Sequence, residues 1–177
     1  EAETEATMLQ TAPTGRLRIN LPAGFAVRYL AAPLAVFKAR YPALTVELIL
    51  SDRKVDLLSE GFDLAVRIGE PEDSSLILRR LACVHRSVCA SPEYLKRRGV
   101  PQTPEELSAH DCLLYAYHSV PTSWRFRSPD REAVVDVKGT LVSNHAEMLV
   151  EAACHGLGLV FCPLFFTAPS LRDGRLV

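Results

Sequence analysis

No stretch of this 177-residue chain approaches the roughly eighteen consecutive apolar residues that a membrane-spanning helix requires. Charge of one sign is also missing, since 20 Lys and Arg against 21 Asp and Glu leave a formal net charge of −1. A surface that grips nucleic-acid phosphates leaves an excess of Lys and Arg, so this chain carries no such footprint of its own. Glu1 to Thr14 is acidic and polar, without the basic start and apolar stretch of a secretory signal. Cysteine is scarce: five residues, an odd number spread along the chain, fit reduced thiols in a cytoplasmic setting better than a disulfide framework.

The motifs of common catalytic chemistry are absent too. No Gly-x-Ser-x-Gly elbow, phosphate-cradling Gly-rich loop or His-Glu-x-x-His occurs. Gly156-Leu157-Gly158 lacks the third glycine of a dinucleotide fingerprint and follows a helix rather than a strand. Cys83 with His85, and Cys154 with His155, lack the paired-ligand spacing of a zinc site. Cys89, Cys154 and Cys162 lie in apolar stretches and read as small core residues. The residues thus suggest no metal, no cofactor and no nucleophile–base pair. There is no internal repeat and no low-complexity tract.

What is present is an ordinary globular composition, 48% hydrophobic and 23% charged, at a length that suits one domain or two small lobes. Thr11-Ala12-Pro13-Thr14-Gly15 breaks an initial helical stretch. Leu17, Ile19 and Leu21 then alternate with polar neighbours as on a half-buried strand. After the turn Pro22-Ala23-Gly24, the residues Val27, Leu30, Leu34, Phe37 and Tyr41 draw one apolar stripe along a helix. Pro33 fits only if the helix restarts there, with Pro in its first turn. A second strand over Thr45 to Leu50, a short helix over Val55 to Leu58 and a third strand over Asp63 to Ile68 complete a βα series, which implies a largely parallel sheet.

Leu76 to about Ala90 reads as extended. Ser91 before Pro92 and Glu93 is a helix N-cap, and Thr103 before Pro104 repeats the pattern. The later strands are expected near Cys112–Tyr115, Ser123–Arg127, Val134–Val137, Thr140–Val142 and Leu157–Cys162. Trp124 and Phe126 alternate onto one core face. Asn144 with Glu147 three residues on is a capping box opening a helix that Gly156 ends, and Leu164 to Leu171 forms the last helix.

Three ordered blocks carry a family resemblance: Gly15-Arg16-Leu17-Arg18-Ile19, Asp63-Leu64-Ala65-Val66-Arg67-Ile68-Gly69, and Cys89-Ala90-Ser91-Pro92-Glu93-Tyr94-Leu95. Over residues 15–177 the chain resembles the effector-binding domain of LysR-type transcriptional regulators. The resemblance implies an α/β, two-lobed, periplasmic-binding-protein-like (type 2) fold with mainly parallel sheets flanked by helices. It implies linker at 1–14, a first lobe over 15–87 and a second over 88–177, with a hinge at Cys89 and Ala90. The return segment of lobe one, and the winged-helix domain through which the family contacts DNA, are expected outside this chain. The implied partners are a small-molecule effector and a second copy, as a homodimer and often a tetramer, through the 33–41 helix and the 45–50 strand. Two rivals of other classes are a solute-binding protein of the same architecture serving a transporter, and an enzyme on that fold. An export signal upstream would favour the first, and turnover of a bound ligand the second.

A sensor needs a cleft with a few oriented polar groups. The turn Pro22, Ala23, Gly24 and Phe25 offers backbone amides at a helix start, a setting suited to a carboxylate. Many relatives place a hydroxyl residue here; this chain lacks one, and the alternative is a plain turn. Arg67 ends a strand on the carboxyl side of the sheet, where open α/β sheets bind ligands, with Ile68 beside it. It either forks onto a carboxylate or pairs with a neighbouring acid. Tyr115 and Tyr117 are the aromatic cleft candidates of the second lobe. Asn144 either contacts ligand or only caps its helix, and His145 either sensitises the site near neutral pH or stands in solvent.

Overall fold

The computed structural model describes residues 13–69, 75–127 and 132–177. The linker expected at 1–14 lies almost entirely outside them. The chain divides into two compact units, Glu1–Pro71 and Glu72–Val177, each with its own sheet.

In the first unit, strand β1 (Gly15–Leu21) pairs in parallel with β2 (Leu44–Leu50) on one side and β3 (Leu64–Ala65) on the other. Helices α1 (Ala23–Tyr29) and α2 (Ala31–Arg40) connect β1 to β2. The helical stripe predicted over 27–41 is therefore two helices, joined at Leu30, and Pro33 stands in the first turn of the second. There its missing amide costs no intrahelical bond. No helix forms over Val55 to Leu58; the chain instead turns over 57–61, with the Asp56 carboxylate folded back onto the amides of Leu58 and Ser59. The third strand is confined to two residues of the six expected.

The core of this unit is thin: among the described residues Leu21, Pro22, Ala26 and Phe62 are its buried apolar side chains. Arg18 helps close it by laying its guanidinium 4.6 Å from the centre of the Phe62 ring while bonding Glu47 and the Glu60 carbonyl. Asn20, fully buried on β1, donates to the Ile49 carbonyl at 3.2 Å, but its own side-chain oxygen finds no partner among the described residues.

The second unit holds a four-stranded sheet in the order β4-β9-β5-β8. Its strands are β4 (Arg86–Cys89), β5 (Asp111–Tyr115), β8 (Lys138–Ser143) and β9 (Leu159–Pro163); β5 is parallel to both neighbours and β4 antiparallel to β9. A two-stranded ribbon, β6 (Ser123–Arg127) with β7 (Glu132–Asp136), stands apart from it. The period-2 alternation of β5 splits the core. Leu113 joins one buried cluster with Ala146, Leu149, Val150 and Phe166 of helices α4 (Ala146–Cys154) and α5 (Leu164–Arg172). Cys112 and Leu114 join another with Tyr94, Leu107, Trp124 and Val135, against which Phe126 packs as its alternation with Trp124 predicts.

Ser91 caps helix α3 (Pro92–Arg98), its hydroxyl accepting from the Tyr94 amide at 3.2 Å. Thr103 precedes a 3-10 helix (Pro104–Ala109) without a side-chain cap. The Tyr94 hydroxyl accepts from the Asp111 amide at 2.9 Å and shares a second hydrogen bond with Nδ1 of His110, 3.1 Å away. That buried pair ties α3 to the start of β5. Gly156, with φ of 75°, ends α4 through Gly156-to-Ala153 and Leu157-to-Ala152 amide bonds, the left-handed stop expected of it. Ala90 and Val177 exchange two backbone bonds, of 3.0 and 2.9 Å.

Candidate functional site

Parallel strands deliver their carboxyl ends to one edge of a sheet, and that edge is where each unit gathers its polar groups. In the first unit β1 ends in Leu21 and leads into Pro22, Ala23, Gly24 and Phe25. Pro22 holds the N-cap position with extended backbone (φ −61°, ψ 130°) and no side-chain cap. The vacancy is filled from the neighbouring strand: the Asp52 carboxylate, just past β2, accepts from the Ala23 amide at 3.2 Å. The backbone amide offered to an outside anion is thus already occupied by an internal one.

Arg67 lies two residues past β3 and donates to the Val66 carbonyl at 3.2 Å. Burial pushes its pKa below the ordinary arginine value, and the field of Asp52 acts in the opposite sense. Arg67 and the Pro22 turn therefore share one edge, with Asp52 electrostatically linked to both. Ile68 is half-buried beside Arg67, and Phe25 packs its ring 5.5 Å from that of Tyr29.

In the second unit β5 ends in Tyr115 and β8 in Ser143, while antiparallel β4 contributes its first residue, Arg86, to the same edge. The Tyr115 ring meets Tyr117 edge-on at 6.1 Å and His118 at 5.5 Å. Asn144 does not cap α4. Its amide donates instead to the Tyr117 hydroxyl at 3.2 Å, and His145 takes the N-cap position without a side-chain cap bond. The Ser143 hydroxyl accepts from the His145 amide at 3.1 Å, which sets the backbone that Asn144 would otherwise shape. His145 approaches Glu147 at 3.2 Å through Nδ1.

The Arg86 guanidinium lies 4.5 Å from the Phe161 ring centre and donates to Nε2 of His118. An arginine can only donate, so Nε2 accepts and His118 is neutral, its proton on Nδ1. Burial first, then the Arg86 charge, pushes His118 down to about 4. Burial likewise raises the Cys162 thiol on β9 to about 12, which leaves it protonated and unreactive.

The structure therefore brings together Tyr115, Tyr117, Asn144 and His145 on one edge, and the Pro22 turn with Arg67 on another. Within the second unit Cys89 and Ala90 stand apart from the polar edge, at the far end of β4 from Arg86. They line an apolar cavity of about 430 Å³ with Leu95, Val100, Leu107 and Val177. Sequence reasoning missed Asp52 and Arg86. Asp52 follows a strand as any loop acid does, and Arg86 sits within a segment read only as a connector. Among the described residues there is no group of three or more His, Cys, Asp or Glu able to hold a metal, and no helix is long and apolar enough to cross a membrane.

Comparison with known proteins agrees with this architecture. A sequence profile for the LysR substrate binding domain matches residues 10–177. An HTH-type transcriptional regulator of Haemophilus influenzae, itself uncharacterized, is 36% identical over 177 residues, covering 100% of this chain and 62% of that protein. The HTH-type transcriptional regulator DmlR of Escherichia coli is 33% identical over 174 residues, 98% of this chain and 57% of the relative. Among solved structures, CrgA, a LysR-type transcriptional regulator from Neisseria meningitidis, superposes with a TM-score of 0.77 at 30% identity, over 99% of this chain and 60% of CrgA. Full-length AphB, the Vibrio cholerae virulence activator, gives 0.79 at 28% identity, over 99% of this chain and 60% of AphB.

The fold is thus that of LysR regulatory domains, the type 2 periplasmic-binding-protein-like class. The chain belongs to the LysR substrate binding domain family and is an effector-binding domain of the LysR-type transcriptional regulators. It spans about three-fifths of the length of the relatives it matches.

Proposed function

We propose that this domain binds a small organic anion between a first lobe (15–87) and a second (88–177), hinged at Cys89 and Ala90, and passes the binding event to a winged-helix domain outside this chain. A ligand acts this way only through different affinities for two arrangements of the protein, whose populations it shifts. The observation that carries the reading is the pair of polar edges, each at the carboxyl ends of parallel strands: the Pro22–Phe25 turn with Arg67 and Ile68, and Tyr115 and Tyr117 with Asn144 and His145. In this reading DNA is touched only through the winged helix, the whole protein acts in the cytoplasm, and no reaction is catalysed. Two copies pair through the 33–41 helix and the 45–50 strand, and pairs assemble further into tetramers.

Thermal unfolding of the chain against small carboxylates, aromatic acids, amino acids and neutral compounds tests the proposal. A ligand at a hundred times its dissociation constant adds about 2.7 kcal/mol. For a chain of this size that corresponds to a rise on the order of 5–10 °C. The expected result is such a rise with at least one compound, lost in Arg67→Gln or Asn144→Ala. No rise with any compound contradicts it.

A further inference from the structure

Arg86 has the marks of a cation waiting for an anion. It opens β4 at the edge where β5, β8 and β9 end. Its surface is exposed, yet the protein around its guanidinium pushes its pKa below the ordinary arginine value. Among the described residues its partners are the Phe161 ring and the neutral His118 imidazole, with no carboxylate among them. Three other arginines do have a carboxylate beside them: Arg18 has Glu47, Arg53 has Glu60 and Arg175 has Glu151.

A neutral ring nitrogen is a weak, single acceptor for a planar fork of N–H donors. A carboxylate takes two of those donors at once and adds opposite charge. The groups around the pair suit the remainder of such a ligand. The Tyr115 ring touches His118 edge-on at 5.5 Å, and the Tyr117 hydroxyl, held by Asn144 at 3.2 Å, stands beyond it.

We propose that Arg86 is the anion anchor of the second unit: a small organic carboxylate displaces His118 from the guanidinium and takes its place, with the Tyr115 and Tyr117 rings beside its hydrocarbon part. This rests on the reading of the domain as an effector sensor and names a ligand class and a residue for it. The neutral His118 holds the guanidinium in place on Phe161 until the ligand arrives, and unlike an internal carboxylate it does not neutralise the arginine's charge.

Trp124, the sole tryptophan, has its ring 5.4 Å from Phe161 and so reports on this corner. The test titrates succinate and benzoate, each beside its amide (succinamide, benzamide), into the 177-residue chain, following Trp124 fluorescence and saturation-transfer NMR of the probe. At least one acid is expected to saturate while its amide does not. Arg86→Gln weakens that binding at least tenfold with unchanged circular dichroism, Arg86→Lys weakens it less, and His118→Ala retains or tightens it. Acid binding that survives Arg86→Gln but is lost in Arg67→Gln overturns the anchor and leaves the sensor reading standing. So does an amide that binds as well as its acid, or binding of a neutral compound when neither acid binds. If no compound of any kind binds, both fall.

Discussion

The side-chain amide of Asn144 bonds the Tyr117 hydroxyl at 3.2 Å, and this contact, not a helix cap, is what the residue does in the folded domain. Ser91, by contrast, is a true cap, its hydroxyl accepting from the Tyr94 amide.

The two positions should therefore differ in their response to alanine. Ser91→Ala loses a cap and about 1 kcal/mol of stability. Asn144→Ala, at an exposed site, changes stability by no more than about 0.5 kcal/mol while impairing ligand binding. Urea unfolding of the two variants checks this. Equal losses would mean that Asn144 does cap α4.

His118 sets a pH dependence. Its folded pKa of about 4 lies below the 6.5 of a free histidine, so the unfolded chain binds the extra proton first. The stabilisation is complete above pH 6.5 and is lost as pH falls toward 4. Melting temperatures measured across that window should fall more steeply for the natural chain than for His118→Gln, which keeps an acceptor for Arg86 without a titrating ring. Parallel curves would contradict the assignment.

Two glycines let β5 be pressed from both sides. A Cβ on Gly139 would stand 1.8 Å from the Cys112 carbonyl oxygen, and one on Gly158 2.2 Å from that of Asp111. Gly139 lies where the β5–β8 register shifts between Asp111 and Leu113, so the bulge needs this close approach. Because the obstacle is backbone, Gly139→Ala or Gly158→Ala should cost about 1–3 kcal/mol or more. An unchanged denaturation midpoint in either would show that the strands spread freely.

Helix α2 has no buried residue, and Val36 on it is 72% exposed. In the proposed dimer this surface is covered. Sedimentation of the chain should give a two-copy species that Val36→Glu shifts toward one copy without lowering the melting temperature. A single-copy natural chain would contradict the pairing.

The legible parts of the fold were those with local causes. Alternation marked β1 and β6, Ser91-Pro92 fixed the start of α3, and Gly156 fixed the end of α4. What failed to show depended on partners distant in sequence. Asn144 has every local attribute of a cap, but Tyr117, 27 residues earlier, claims its amide. Val55 to Leu58 is apolar enough for a helix, but Asp56 competes for its amides. The site was legible as edges, since carboxyl ends of parallel strands follow from topology. Asp52 on the Ala23 amide and His118 on Arg86 could not be read, because neither pairing leaves a spacing in the sequence.

An amide chemical-shift map of the chain with whichever compound raises its melting temperature tests most directly whether the two polar edges hold the ligand. Shifts are expected to concentrate at 22–25, 67–69, 115–118 and 144–145. Shifts confined to the apolar cavity lined by Leu95, Val100 and Leu107 would contradict that placement.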